Sequence, residues 1–351
     1  MLAGNDQDLD EPPARHTCEH VVAWLARPQE ELDRVAANQR QPRRGADADR
    51  GDPVRVGRRL GSGRDTAEGN RACVDKRTLD EMASRWLAED VGRGDVTTSA
   101  VIPAGRSGVA RIEAREVAVV AGLNIVRTCF DLSSAGAVTW RAFVADGDEV
   151  AAHDALARVE GSLASILTAE RTALNLLGRL SGIATLTRRF SKEVKGTAAT
   201  IVDTRKTTPG MRLLEKHAVR AGGGSNHRFG LDDGVLIKDN HLAAAGGVEE
   251  AVQRARVAVP HGLKIEVEVT TLDELDAAVA AGADAVLLDN MSPEMVADAV
   301  KRAGGKVLLE ASGGITLENI RDYATSGVDL ISVGALTHSA RTIDLSLEVE
   351  G

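Results

Sequence analysis

The chain has 351 residues, 43% hydrophobic content, 2% aromatic content and a formal net charge of -9. That length suits two ordinary domains or one barrel with an attachment, and the apolar fraction is enough for a sizeable core. So few aromatics argue against stacking platforms for single-stranded nucleic acid, and the acidic balance argues against a nucleic-acid partner while leaving room for a local basic pocket.

The chain opens "MLAGNDQDLDEPP", without the basic start and apolar core of a secretory signal. No run of about 18 apolar residues predicts a membrane span, so the expectation is a soluble cytoplasmic protein. Cys18, Cys73 and Cys129 are too few and too scattered for a disulfide framework or a thiolate metal site. Residues 1–76 are rich in Arg, Asp and Gly, as in "QPRRGADADRGDPVRVGRRLGSGRDTAEGN". That composition buries little surface and predicts a poorly structured N-terminal extension, with at most a short helix at about 18–37 that Pro28 interrupts or restarts.

Leu79, Met82, Trp86 and Leu87 then recur at helical spacing, and Gly92 and Gly94 end that helix. "SGVARIEAREVAVVAG", "VTWRAFVADGDEVA" and "ALARVEGS" are β-rich stretches separated by Gly and Asp-Gly, which predicts a small sheet domain. Cys129 falls on a short helix at 122–130 and reads as a buried apolar thiol. Residues 162–194 read as one long helix, or as two broken near Gly178–Gly182.

From about residue 199 the pattern changes to alternating strands and helices. "ATIVDT", "GVLIKD", "LKIEVEVT", "DAVLLDN", "KVLLEASG" and "DLISVG" are candidate strands; "TLDELDAAVAAGA", "SPEMVADAVKRAG" and "TLENIRDYATSG" are the clearest helices between them. Such repetition predicts parallel pairing. Asp203, Lys238, Glu268, Asp289, Ser312 and Gly334 recur at the C-terminal ends of these strands, which suits a barrel mouth better than a doubly wound sheet. Six strands rather than eight imply an incomplete barrel.

The segment 203–241 carries seven cations against five acids, a local balance of +2 in an acidic chain. Arg212, Lys216 and Arg220 are spaced four apart and read as the polar side of the helix "MRLLEKHAVRAGG", with His217 structural or solvated. Arg205 and Lys206 differ, because they follow a strand end. A guanidinium offers a planar fork and an ammonium a point charge, and the two side by side call for anions. Gly222–Gly224 match no P-loop or dinucleotide signature. Glu268 and Asp289, at consecutive strand ends, could hold Mg²⁺ directly or through its waters while the metal binds diphosphate; the alternative is a plain salt bridge from Glu268 to Lys238 or Lys206. Zinc is disfavoured, because no histidines here have tight ligand spacing. Ser312, Gly313, Gly314 and Gly334 could present unobstructed backbone N–H groups to a phosphate.

Together, "DTRKTTPGMRLLEKHAVRAGGGSNHRFGL", "IKDNH", "EVEV", "LLDN" and "EASGGI" closely resemble the quinolinate phosphoribosyltransferases, with "AEDVGRGDVTTSAV" and "EGSLASILTAERTALNLL" extending the likeness over about 77–345. The resemblance implies an α/β fold: an N-terminal α/β sandwich domain with linking helices at 77–185 and a C-terminal incomplete (β/α) barrel at 186–340, with the tail 341–351 packing back on the first domain. It implies a homodimer with shared active sites, sometimes assembled into hexamers, with no nucleic-acid or membrane partner. The implied reaction converts quinolinate and 5-phosphoribosyl 1-diphosphate into nicotinate mononucleotide, CO₂ and diphosphate, with Mg²⁺, in NAD biosynthesis. By the same likeness Arg205 and Arg228 grip the quinolinate carboxylates beside Lys206 and His227, and Arg171 reaches the partner's site. Lys238, Glu268 and Asp289 handle the ribosyl diphosphate and its Mg²⁺, Ser312, Gly313, Gly314 and Gly334 cradle the 5-phosphate, and Lys206, Glu268 and Asp289 are the catalytic candidates. Three other readings stay open: a non-carboxylating relative, such as a nicotinate phosphoribosyltransferase or a molybdenum-transport-associated homologue; a barrel that lost catalysis; and aldolase chemistry through Lys206 or Lys238.

Overall fold

A side-chain cap starts the first helix. The computed structural model describes residues 74–350, and helix α1 (Lys76–Val91) begins two residues before Thr78 because the Asp75 carboxylate accepts from the Thr78 amide at 3.0 Å. Apart from residues 74–76, the N-terminal extension and the helix read at 18–37 lie outside the described residues. Gly92, at φ 53°, closes α1 as the glycine spacing predicts. Helix α2 (Val96–Val101), strands β1 (Ser107–Ala114) and β2 (Ala118–Val119), helix α3 (Leu123–Ser133), and strands β3 (Thr139–Ala142), β4 (Glu149–Val150) and β5 (Ala155–Ser162) follow. Cys129 lies buried on α3, and burial pushes its thiol up to about 12, so it is an inert core group.

Helix α4 (Leu163–Glu193) runs 31 residues without a break, so Gly178 and Gly182 do not end it. A Cβ at Gly182 would overlap the Arg341 carbonyl, and one at Gly178 would stand 2.7 Å from the Ile343 oxygen. These glycines let the C-terminal chain cross the helix closely; that is their physical reason for being there.

The second half alternates as expected: β6 (Thr200–Val202), α5 (Arg212–Ala221), β7 (Val235–Ile237), α6 (Asp239–Ala245), α7 (Val248–Ala258), β8 (Ile265–Val269), α8 (Leu272–Ala281), β9 (Ala285–Asp289), α9 (Pro293–Ala303), β10 (Leu308–Ser312), α10 (Ile320–Thr325), β11 (Leu330–Ser332) and α11 (Ala335–His338), then β12 (Leu345–Glu350). Helices α6 and α7 are additions to the sequence reading. The six strands β6 to β11 form one parallel sheet in the order β6-β11-β10-β9-β8-β7. Its edges β6 and β7 do not pair with each other, so the barrel is incomplete. The other main sheet is antiparallel, in the order β12-β1-β5-β3, with the C-terminal strand paired to β1. Among the described residues no helix is long and apolar enough to cross a membrane.

Candidate active site

Every strand of the parallel sheet delivers side chains to one cavity at its C-terminal end. The cavity encloses about 680 Å³ and is lined by Arg205 and Lys206 after β6, Lys238 after β7, Glu268 on β8, Asp289 on β9, Ser312, Gly313 and Gly314 at the end of β10, and Gly334 after β11; His227 and Arg228 enter from the α5–β7 loop. Eleven of the twelve residues singled out in the sequence therefore meet in one place. The twelfth, Arg171, does not line this cavity. It lies on α4 with its side chain 64% exposed and its guanidinium 3.7 Å from the Glu170 carboxylate.

The loop that carries Arg205 and Lys206 is anchored through its backbone and hydroxyls, which leaves the cations unengaged. Glu215, fully buried on α5, accepts from the Thr208 amide at 3.1 Å and the Thr208 hydroxyl at 2.8 Å, and also from Arg179 Nη2 at 2.9 Å. The Thr337 hydroxyl donates to the Lys206 carbonyl at 2.7 Å. Arg205, Lys206 and Arg228 form no ion pair among the described residues, and the buried Nε atoms of Arg205 and Arg228 have no hydrogen-bond partner. Burial, then the neighbouring Arg205 charge, pulls the Arg228 pKa below its ordinary value. Cations held close together without an ion pair suit a polyanion.

One expectation about α5 is corrected. Lys216 is not on a solvated polar side: it is 2% exposed, forms an ion pair with the fully buried Asp203, and donates to the His227 carbonyl at 3.0 Å. Asp203 also accepts from the His227 amide at 3.0 Å and from Asn226. Burial presses both groups toward neutrality, raising the Asp203 pKa and lowering that of Lys216, while their mutual attraction opposes it. The helical spacing of Arg212, Lys216 and Arg220 is real, but all three are engaged. Arg212 donates to Thr207 Oγ1 and to the Phe229 carbonyl, each at 2.9 Å, and Arg220 donates to Asn226. His217 is structural, 2.7 Å from Asp146, whose other oxygen accepts from the first amides of α3.

Glu268 does pair with Lys238, at 2.6 Å, and the Asp289 carboxylate accepts from Asn290 Nδ2 at 2.7 Å. Two carboxylates at the ends of adjacent parallel strands are an all-oxygen donor set, the kind that suits a hard divalent cation retaining part of its water shell. The glycines matter for different reasons. Gly313 has φ 93°, and a Cβ there would collide with the Asn290 side chain; a Cβ at Gly334 would press on Lys206 Cδ at 3.3 Å.

The sequence reading missed Glu266 and Glu310. They face His227 across the cavity wall, and the three residues offer divalent-ion ligand atoms within 4.8 Å of one another. The Arg228 amide donates to His227 Nδ1 at 2.8 Å, so the ring hydrogen sits on Nε2, 2.9 Å from Glu266 and 3.5 Å from Glu310. In that tautomer Nε2 is a donor and has no lone pair for a metal. Burial opposes charge on the imidazole, but the two carboxylates outweigh it and raise the His227 pKa.

Comparison with known proteins agrees with this geometry. Residues 95–181 match the family described as quinolinate phosphoribosyl transferase, N-terminal domain, and residues 183–348 match its C-terminal domain. A probable nicotinate-nucleotide pyrophosphorylase [carboxylating] of Bacillus subtilis (strain 168) is 44% identical over 271 residues, spanning 77% of this chain and 93% of its own. The nicotinate-nucleotide pyrophosphorylase [carboxylating] of Mycobacterium leprae (strain TN) is 45% identical over 271 residues, 76% of this chain and 95% of its own. The solved structure of the nicotinate-nucleotide pyrophosphorylase from Francisella tularensis superposes with a TM-score of 0.76 at 41% identity, covering 79% of this chain and 98% of that one. An incomplete barrel with an unpaired cationic cavity at its strand ends, joined to an antiparallel sheet domain and matched over nearly all its described length, makes the chain a member of the quinolinate phosphoribosyltransferase family.

Proposed function

We propose that the chain transfers the phosphoribosyl group of 5-phosphoribosyl 1-diphosphate to quinolinate with decarboxylation, giving nicotinate mononucleotide, CO₂ and diphosphate in NAD biosynthesis. The observation that carries this reading is the set Arg205, Lys206 and Arg228, which share one cavity and form no ion pair among the described residues. Quinolinate brings two adjacent carboxylates, and guanidinium forks suit them.

Arg205 and Arg228, with Lys206 and His227 beside them, hold the ring so that its nitrogen faces ribose C1. Lys238 contacts the diphosphate, and the backbone amides of Ser312, Gly313, Gly314 and Gly334 take the 5-phosphate, three of the four residues having no side chain of their own. Glu268 and Asp289 would hold Mg²⁺, directly or through its waters, and stabilise positive charge developing at C1. An Mg²⁺ ion bound there would supply charge neutralisation for diphosphate as it departs. Once the nitrogen is ribosylated the ring is cationic and can accept the electron pair left at C2 when the neighbouring carboxylate departs. Arg171, exposed and outside its own cavity, serves the site of a partner subunit in a homodimer, alone or within a hexamer. Residues 77–185 form the sandwich domain and 186–340 the barrel, the two sharing the unbroken helix α4. The compartment proposed for this chemistry is the cytoplasm.

The test is stoichiometry. Purified protein with Mg²⁺, ribosyl diphosphate and carboxyl-labelled quinolinate is expected to release labelled CO₂ and nicotinate mononucleotide in equal amounts. Conversion of nicotinate but not quinolinate would assign a non-carboxylating enzyme, and silence with both would assign a barrel without this catalysis.

A further inference from the structure

Glu310 is anomalous. It is 1% exposed, lines the cavity, and has no close hydrogen-bond partner: His227 Nε2 stands 3.5 Å away and the Ser332 hydroxyl is a weak neighbour. Buried carboxylates are normally well paired, so a weakly paired one beside a second carboxylate needs an explanation. The ion pair with His227 offsets that burial only weakly, because the Nε2 hydrogen goes to Glu266 at 2.9 Å, with Glu310 further off at 3.5 Å. A metal ion does not supply the explanation, because Nε2 carries that hydrogen while Nδ1 accepts from the Arg228 amide. A proton on the carboxyl removes the burial cost that these weak contacts leave.

We propose that Glu310 is the acid that supplies the proton taken up by ring carbon C2 when CO₂ leaves. This rests on the phosphoribosyl-transfer reading above, whose product carries hydrogen where quinolinate carried a carboxylate. The bond between C2 and its carboxylate carbon breaks, and CO₂ departs without the bonding pair. That pair stays on C2, stabilised by the ribosylated ring nitrogen. It then takes the Glu310 hydrogen, forming C2–H and leaving Glu310 ionised, and a solvent proton restores the carboxyl for the next turnover. His227 is the neighbour through which Glu310 joins the carboxylate-binding group, since Arg228 follows it directly and both line the same cavity.

The surroundings favour the protonated form. Burial is the largest influence, followed by the Glu266 charge on β8, and together they push Glu310 up to about 7. His227 from the α5–β7 loop and the Ser332 hydroxyl on β11 oppose this, and Asp203 beyond the end of β6 adds to it. A carboxylic acid held neutral near neutral pH in a site that grips anions is a proton donor that does not repel its substrate. Lys206 is the competing donor in the cavity, and the two are separated by the variants below, which leave Lys206 in place.

The test uses the full chain with Glu310→Gln, which keeps shape and removes the acid, and Glu310→Asp, which keeps an acid but withdraws it by one methylene. Folding is checked by thermal melting and quinolinate affinity by titration. For Glu310→Gln we expect quinolinate affinity within about threefold of wild type and kcat lower by roughly 10²-fold, the usual contribution of a positioned acid. The wild-type kcat should fall as pH rises through about 7, and the Gln variant should lose that limb. Glu310→Asp should recover part of the rate and the limb. Wild-type kcat with an unchanged pH profile in the Gln variant would overturn the proposal, as would a loss confined to quinolinate affinity. If the Gln variant does not fold, an unaltered kcat in Glu310→Asp would overturn it. Failure of the wild-type chain itself to convert quinolinate would instead sink the parent reading, so the two failures are told apart.

Discussion

The two sheets of this molecule treat charge in opposite ways. On the antiparallel sheet, charged residues point toward water and pair with one another: Arg158 with Glu160 at 2.8 Å, Arg111 with Glu113 at 2.9 Å, and Arg115 with Glu348. The apolar face beneath is plain, with Ala110, Ile112 and Ala114 of β1 fully buried. On the parallel sheet both faces are covered, yet Asp203, Glu266 and Glu310 are buried there. Exposed pairs cost little and contribute little; buried charges cost several kcal/mol unless compensated. A buried charge that is fully compensated, such as Lys216 with Asp203, therefore reads as scaffold. Charges without an ion pair, such as the half-buried, cavity-lining Arg205 and Arg228, mark where a ligand belongs.

The sharpest way to break this comparison is Lys216→Met. It strands Asp203 as a buried carboxylate without its counter-charge and should destabilise the fold by about 3–5 kcal/mol in chemical denaturation. Removing the Asp203 charge as well should restore part of that. A loss below about 1 kcal/mol for the single variant would mean that burial does not separate the two kinds of charge.

A smaller effect is expected at Glu116, which accepts from Arg341 and from the Asp344 amide at 3.0 Å and so fastens the segment that crosses α4. Its hydrogen bonds to Arg341 hold its pKa down to about 2, against an ordinary value of 4.5. The folded-state pKa is the lower one, so the stabilisation is complete above about 4.5 and is lost as pH falls toward 2. Arg341 is two-thirds exposed, and solvent screening limits the contribution to about 1 kcal/mol. Melting curves of wild type and Glu116→Gln should converge as pH drops through that window; curves that stay parallel would refute the assignment. Smallest of all, Arg158→Ala on the antiparallel sheet should change stability by no more than about 0.5 kcal/mol.

The strands and most of the cavity were legible because their signals are local. Each candidate strand is a short apolar run, and the polar residue that ends it stands next to the run in sequence. What was not legible is long-range. Helical spacing puts Lys216 on a face, but only the fold shows that Asp203, thirteen residues earlier, meets that face away from water. Glu266 alternates with Val267 as a solvent-facing residue would, yet it is buried against His227, thirty-nine residues away. Gly178 and Gly182 resemble helix breaks because the chain that packs on them arrives some 160 residues later. Arg171 is legible as a site candidate only through family likeness, since it lies outside its own cavity and its guanidinium meets only Glu170.

The central claim, that unpaired cations at the strand ends recognise two carboxylates rather than one, is tested most directly by isothermal titration of the full chain with quinolinate and with nicotinate. The account predicts quinolinate tighter by roughly tenfold or more, the worth of one charged hydrogen-bonded contact, and predicts that Arg228→Ala removes most of that margin. Equal affinity for the two acids in the wild-type chain, or a margin untouched by Arg228→Ala, would contradict it.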